Sequence, residues 1–358
     1  MTRLERFGEA LRAAGAECAV ISSEINQRYL SGFPFSDGYI LVTPDEDFLL
    51  TDSRYIEAAK KHVNDLSVIL ASGGMLASLK RLISDKGISE VAIEEADLSC
   101  ADLKKFTEEF SGVEIKFGAS EILKGLRAVK SADEIAKISE AQRLTDEAFS
   151  HILDFLSPER TESEVALELE FFMRRRGAEG VAFDTIAVSG EASSLPHGVP
   201  SDVPLRRGFL TMDFGAKVDG YCSDMTRTVV IGRADEEMKR IYSTVLTAQQ
   251  TALSFIRGGI PCRDADEAAR SVIREAGFGA NFGHSLGHGV GMFIHEFPNL
   301  SPKADPSSVL RAGNVVTVEP GIYIEGKYGC RIEDMIAIRE DGSVHNFTQS
   351  QKNLIEIV

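Results

Sequence analysis

Thr211-Met212-Asp213-Phe214-Gly215 and Thr317-Val318-Glu319-Pro320-Gly321 share one pattern: a threonine, an apolar residue, a single acid and, two positions on, a glycine. Past a turn, each is followed by a second acid. Asp224 lies four residues after Gly220, and Glu333 four residues after Gly329, both in runs of strand-forming residues. Each copy reads as a β-hairpin with one carboxylate on its outgoing strand and one on its returning strand. Four acids delivered by two related hairpins repel one another and are costly to bury without cations between them. The pattern predicts a metal site with room for more than one ion.

The elements around the hairpins also repeat. Ser131 followed by Glu134 has capping-box spacing and marks a long amphipathic helix over 127–156. Thr161 and Glu164 repeat that spacing at the head of a second helix ending near Arg176, and strands then lead to the first hairpin. Helices over 235–257 and 264–276, followed by strands, precede the second hairpin. Helix, helix, sheet, twice over, implies a pseudo-two-fold domain whose helices cover one curved antiparallel sheet. Upstream, Leu4, Phe7 and Leu11 share one face of an opening helix. Strands are expected there at 18–21, 37–42, 47–50, 66–70, 90–93 and 113–116, with helices at 55–62 and 75–84. This alternating α/β region concentrates neither histidine nor carboxylate and reads as a substrate-flanking or oligomerisation domain. A chain of 358 residues suits two domains, drawn here at 1–125 and 126–358.

The bulk properties narrow the partners. A net charge of −16 argues against a nucleic-acid partner and against anionic membranes. No run approaches ~20 uninterrupted apolar residues, the length that spans a bilayer, and the N-terminus lacks the apolar core of a signal peptide. Five scattered cysteines, none in a C-x-x-C pair, support neither a disulfide scaffold nor a structural zinc site. A reducing, cytoplasmic setting is expected.

The acids are single charges inside apolar runs, so burial is expected, and a buried acid must be paired, protonated or metal-bound. The competing reading is structural ion pairing with Arg227 or Arg331, but two arginines cannot balance four acids. On a strand, residues two apart share a face, so Arg331 and Glu333 point the same way. Histidine usage adds a second signal. His284, His288 and His295 lie in or beside a glycine-dense stretch at 283–291, and His197 sits in the rigid loop Leu195-Pro-His197-Gly-Val-Pro200. His288 and His295, which bracket the turn, are candidates for chemistry. His284 reads either as a hydrogen-bonded packing residue or as a group facing substrate; His62, His151 and His345 lack supporting neighbours. One histidine with four carboxylates suits a pair of Mn²⁺, Co²⁺ or Zn²⁺ ions. Such a pair lowers the pKa of a water between them, which is hydrolase chemistry.

Asp213-Phe-Gly, Gly220-Tyr-Cys-Ser-Asp224-Met-Thr-Arg-Thr228, Gly287-His288-Gly-Val-Gly, Val318-Glu319-Pro-Gly and Arg331-Ile-Glu333-Asp together resemble the motifs of metallopeptidase family M24. Within it they are similar to the proline-specific branch, which includes aminopeptidase P and prolidase and has the "pita-bread" fold. Gln27-Arg-Tyr-Leu-Ser-Gly-Phe33, Leu50-Thr-Asp-Ser-Arg-Tyr55 and the Arg127-Ala-Val-Lys130 join resemble the creatinase-like N-terminal domain that accompanies it. The resemblance implies that Asp213 binds one ion, that His288 and Glu319 bind the other, and that Asp224 and Glu333 bridge both, with Mn²⁺ the expected metal. It further implies Glu319 as general base, His197 and His295 as stabilisers of the tetrahedral intermediate, and Arg331 as the arginine that orients the carboxylates. The implied substrate is a peptide with proline second, cleaved by aminopeptidase or dipeptidase action, and the implied assembly is a homodimer. Phe183 and Tyr221 are expected to wall the proline pocket. Methionine aminopeptidases share the five ligands but normally lack the first domain. An inert binding protein on this fold would show eroded ligands, and none is eroded.

Overall fold

The computed structural model describes residues 1–358. Packing divides it into two compact units, Met1–Leu126 and Arg127–Val358. In the first unit, six strands form a mixed sheet in the order Ser67–Leu70, Phe48–Thr51, Tyr39–Val42, Ala19–Ile21, Glu90–Ile93 and Glu114–Lys116. Ala19–Ile21 runs antiparallel to Tyr39–Val42 and parallel to Glu90–Ile93. Val20, Leu41, Leu50 and Ile93 pack with Leu79 and Ile83 of helix Met75–Asp85 and Phe106 of helix Cys100–Glu109. That last helix and Glu24–Ser31 are additions to the sequence reading. Both are short, and each starts on a serine N-cap, Ser99 and Ser23.

The expected continuous helix over 127–156 is broken. One helix, Ala119–Ala128, ends first, and another, Ala132–Phe155, begins at Ser131. Ser131 is extended (φ −73°, ψ 168°), and its side chain and that of Glu134 cap each other's backbone N–H groups. The capping box therefore starts a helix where amphipathic spacing alone would have run through. Glu162–Arg175, Glu236–Phe255 and Cys262–Glu275 follow as the other three covering helices. Two matching cores result. Leu144, Phe149, Val165 and Leu169 pack on Met212, Phe214 and Met225, while Ile241, Val245, Ala265 and Ala269 pack on Val316, Val318 and Ile336.

The curved sheet is built as two ladders. One has four strands, in the order Glu356–Ile357, Met225–Ile231, Gly208–Phe214 and Ile186–Ser189; the other has five, in the order Glu296–Leu300, Gly287–Gly289, Val315–Val318, Asp334–Ile338 and Val344–Asn346. Glu356–Ile357 joins in parallel, the exception in an otherwise antiparallel pattern. The ladders meet where Glu333 N–H donates to Thr226 O (3.1 Å) and the Thr228 hydroxyl donates to Arg331 O (2.9 Å). No helix is long and apolar enough to cross a membrane.

Candidate metal centre

Each acidic hairpin has a lower and an upper ladder. Gly208–Phe214 pairs with Met225–Ile231. Above them, Ala216–Val218 and Tyr221–Cys222 close around Asp219-Gly220, whose φ values of 47° and 83° make the two-residue turn that suits strand twist. Likewise Val315–Val318 pairs with Asp334–Ile338, and above them Gly321–Ile324 pairs with Tyr328–Arg331. The acids cluster at these joints. Asp224 and Glu333 occupy the gaps between returning strands, Glu319 follows Val318, and Asp213 is the next-to-last residue of its strand. Backbone segments also approach unusually closely there. A Cβ on Gly215 would lie 1.9 Å from Ser223 O, and one on Gly287 would lie 2.1 Å from Thr317 O, so only glycine fits beside Asp224 and His288.

Two overlapping groups of candidate ligand atoms result. Asp213, Asp224 and Glu333 offer oxygens that lie within 4.8 Å of one another. His288 Nε2 lies 3.5 Å from Asp224 Oδ2 and 3.3 Å from Glu319 Oε1. Asp224 belongs to both groups. The His288 Nδ1–H donates to Gly289 O (3.1 Å), which leaves Nε2 as the lone-pair nitrogen facing the acids. Hydroxyls fix two carboxylates: Thr226 donates to Glu333 Oε2 (2.7 Å) and Thr317 to Glu319 Oε1 (3.0 Å). Each threonine is two residues from an acid, Thr226 from Asp224 and Thr317 from Glu319, so the face-sharing rule applied to Arg331 would have found both.

The arginines divide the competing reading. Arg331 Nη2 donates to Asp213 Oδ2 (2.6 Å), its Nη1 to Tyr323 Oη (2.7 Å) and its Nε to Thr226 Oγ1 (2.9 Å). Arg227 is spent elsewhere, on Asp334 Oδ1 (2.9 Å) and on backbone carbonyls. One guanidinium therefore faces four carboxylates. Burial, then repulsion from Glu333, Asp213 and Glu319, pushes the Asp224 carboxyl far above its usual range. Glu333 is raised for the same reasons, and burial pushes Glu319 up to about 8 against the pull of Arg331. Asp213 Oδ1 is buried without any hydrogen-bond partner. An orphaned carboxylate oxygen, uncompensated acids and a donor set of oxygens with one imidazole fit divalent cations.

A pH test follows. In metal-free protein the folded state holds a proton on Glu319 that the unfolded chain has already released between pH 4.5 and about 8. That stabilisation is complete below the lower value and is lost as pH rises through the upper one, on the order of 1.4 kcal/mol per pH unit for each such proton. Melting in chelator should therefore fall from pH 6 to pH 8, and Mn²⁺ should restore more at pH 8. A melting temperature that is flat or rises over that interval in chelator would contradict the uncompensated cluster.

The carboxylates open into a cavity of about 620 Å³, also lined by Phe183, His197, His284, His288, His295 and Arg331. His295 stands against His288, with ring centroids 4.3 Å apart, and burial followed by the neighbouring imidazoles of His288 and His197 lowers its pKa. His284 lines the cavity yet is held from both sides: Nδ1 bonds Ser285 O (2.8 Å) and Nε2 bonds the Tyr323 hydroxyl (3.0 Å). Burial lowers its pKa to about 4. Tyr221 is not at the cavity. It pairs with Val218 beside the tight turn and is buried, with its hydroxyl donating to Glu134 (2.9 Å), so it cannot wall a proline pocket. Tyr323, which links Arg331 to His284, carried no sequence signal beyond its place in the second hairpin. A larger cavity, about 940 Å³, lies against helix Ala132–Phe155 and residues 345–351. Glu140 and Glu147 there are tied to Arg143 and Arg176, and Asp146 accepts from the backbone N–H groups of Gln349 and Ser350.

Residues 136–340 match metallopeptidase family M24, and residues 3–129 match the creatinase/prolidase N-terminal domain. The Xaa-Pro dipeptidase of Pyrococcus furiosus is 36% identical over 355 residues, 99% of either chain. Among solved structures, a Xaa-Pro dipeptidase from Bacillus anthracis superposes with a TM-score of 0.94 at 39% identity, covering 99% of this chain and 98% of that one. An X-Pro aminopeptidase from Thermotoga maritima does so with a TM-score of 0.90 at 38% identity, covering 98% and 100%. With both domains matched and similarity running the full length, the chain belongs to metallopeptidase family M24 and is a metal-dependent exopeptidase.

Proposed function

We propose that this enzyme hydrolyses the bond between an N-terminal residue and a following proline, using two divalent ions, Mn²⁺ first among them with Co²⁺ or Zn²⁺ as alternatives. The observation that carries the two-ion reading is the double membership of Asp224, which joins the Asp213–Glu333 group to the His288–Glu319 group. On that reading Asp213 would hold one ion and His288 and Glu319 the other, with Asp224 and Glu333 placed to serve both. Bound there, the ions supply Lewis acidity toward the scissile carbonyl and lower the pKa of the attacking water.

The chain's own residues do the rest. Glu319, whose Oε1 lies 3.3 Å from His288 Nε2, takes the proton from the water as it attacks. His197 and His295, both on the cavity wall, donate to the carbonyl oxygen as it gains negative charge. Arg331 fixes Asp213 through Oδ2 and so leaves Oδ1 for a cation. Xaa-Pro is a tertiary amide with no N–H and a fixed ring, so a peptidase that grips that N–H cannot use it. Phe183, with Ile186 and Ile294 on the same wall, gives the ring an apolar surface instead. The relatives named for Xaa-Pro cleavage support the assignment. The test compares Xaa-Pro dipeptides, Xaa-Pro-Yaa peptides and Met-Ala peptides with Mn²⁺ present. Turnover of proline peptides is expected, and turnover of Met-Ala peptides alone would overturn the specificity.

A further inference from the structure

We infer that the cavity prefers Xaa-Pro peptides that continue beyond the proline and discriminates against the free dipeptides, whose proline bears a carboxylate. The inference rests on the Xaa-Pro reading of the same site and adds the chemical class of the substrate's far end.

The charges lining the cavity carry it. Of the lining side chains, Arg331 is the only guanidinium, and there is no lysine. Its donors are committed to Asp213, Tyr323 and Thr226 at 2.6–2.9 Å, and the side chain is buried. His197 and His295 face the scissile carbonyl in the proposed reading, and His284 is held by Ser285 O and Tyr323. Two divalent ions would balance the four inner acids, leaving Arg331 against a fifth, the exposed Asp184 of the rim. No surplus positive charge remains for a substrate carboxylate. Bringing an unpaired carboxylate out of water beside an acid is unfavourable, and pairing it normally takes an arginine or lysine.

A neutral polar group on the wall suits a continuing peptide. Thr185 is on the lining, but its hydroxyl is buried beneath the surface. Asn299, the cross-strand neighbour of His288, is exposed on the same wall. The Asn299 amide can donate to a carbonyl and accept from an N–H; a peptide bond after proline presents both, whereas a terminal carboxylate presents acceptors only. On the lining, Val199 is 83% exposed, an apolar lip beside His197 over which a longer chain can run.

The test isolates one charge. Ala-Pro, Ala-Pro-amide and Ala-Pro-Ala are compared by kcat/KM with Mn²⁺ present. The amide and the tripeptide should exceed the free dipeptide by about tenfold or more, the equivalent of ~1.4 kcal/mol. A dipeptide cleaved as fast as its amide overturns the inference and leaves the Xaa-Pro reading standing. Cleavage of none of the three overturns the Xaa-Pro reading itself. Asn299→Arg, which places a cation on the wall, should narrow the gap by raising dipeptide turnover. An unchanged gap in that variant, correctly folded, rules out missing positive charge as the cause.

Discussion

Asp224→Asn should abolish Xaa-Pro hydrolysis, lowering kcat by at least about 10³-fold, while leaving the metal-free protein more stable than before. Asparagine keeps the shape of the side chain but removes the charge shared by both ligand groups, where Asp224 meets Asp213 and Glu333 on one side and His288, at 3.5 Å, on the other. Preorganised charge at a hydrolytic centre is commonly worth 10²–10³-fold per donor, and loss of a shared ligand adds loss of cations to that. Stability moves the opposite way. Asp224 is buried and disfavoured by three neighbouring acids, so removing its charge relieves repulsion when no cation is present. Thermal melts in chelator at pH 8, beside metal analysis of the same samples, check both halves. A variant that melts lower than wild type in chelator would support a structural ion pair and count against a metal ligand.

Arg227→Met should cost about 3–5 kcal/mol of stability, the usual penalty for stripping one partner from a buried charge network. Arg227 is 1% exposed, and it donates to Asp334 Oδ1 (2.9 Å), Thr226 O (3.0 Å), Ser350 O (2.8 Å), Gln351 O (3.1 Å) and Glu333 O. It thereby ties the first hairpin to the backbone of Glu333 and to the C-terminal segment. Burial alone would raise the Asp334 carboxyl, yet Arg227 and Lys352 hold it below the usual range. Methionine fills the space but supplies no donors. Lys352 Nζ and Asn346 Nδ2 would remain on Asp334, so the charge is not wholly abandoned. Urea unfolding measures the loss, and a change under about 1 kcal/mol would show that the carbonyl contacts contribute little.

What the sequence disclosed follows from how locally each feature is encoded. The four acids could be read because each hairpin carries its own turn signal and its own glycine. The capping boxes at Ser131 and Thr161 were likewise visible in four-residue windows. Amphipathic spacing was less safe. It continued across Ala128–Ser131, where the backbone turns extended and one helix gives way to the next. Division of the sheet into two ladders was hidden because it depends on contacts about a hundred residues apart, such as Glu333 N–H on Thr226 O. Tyr221 was expected at the cavity and lies away from it. Its neighbour Asp224 lies at the joint where the ladder breaks, whereas Tyr221 sits beyond it on the upper hairpin, bonded to Glu134. The hydroxyls of Thr226 and Thr317 were within reach of the rule already applied to Arg331 and Glu333.

Equilibrium dialysis of the purified protein against Mn²⁺, with bound metal counted per chain and Xaa-Pro hydrolysis followed in the same samples, tests the proposed pairing of cations most directly. Two ions per chain, with activity appearing as they load and vanishing in chelator, is the expected result. Hydrolysis that persists undiminished in protein holding no divalent ion would contradict it.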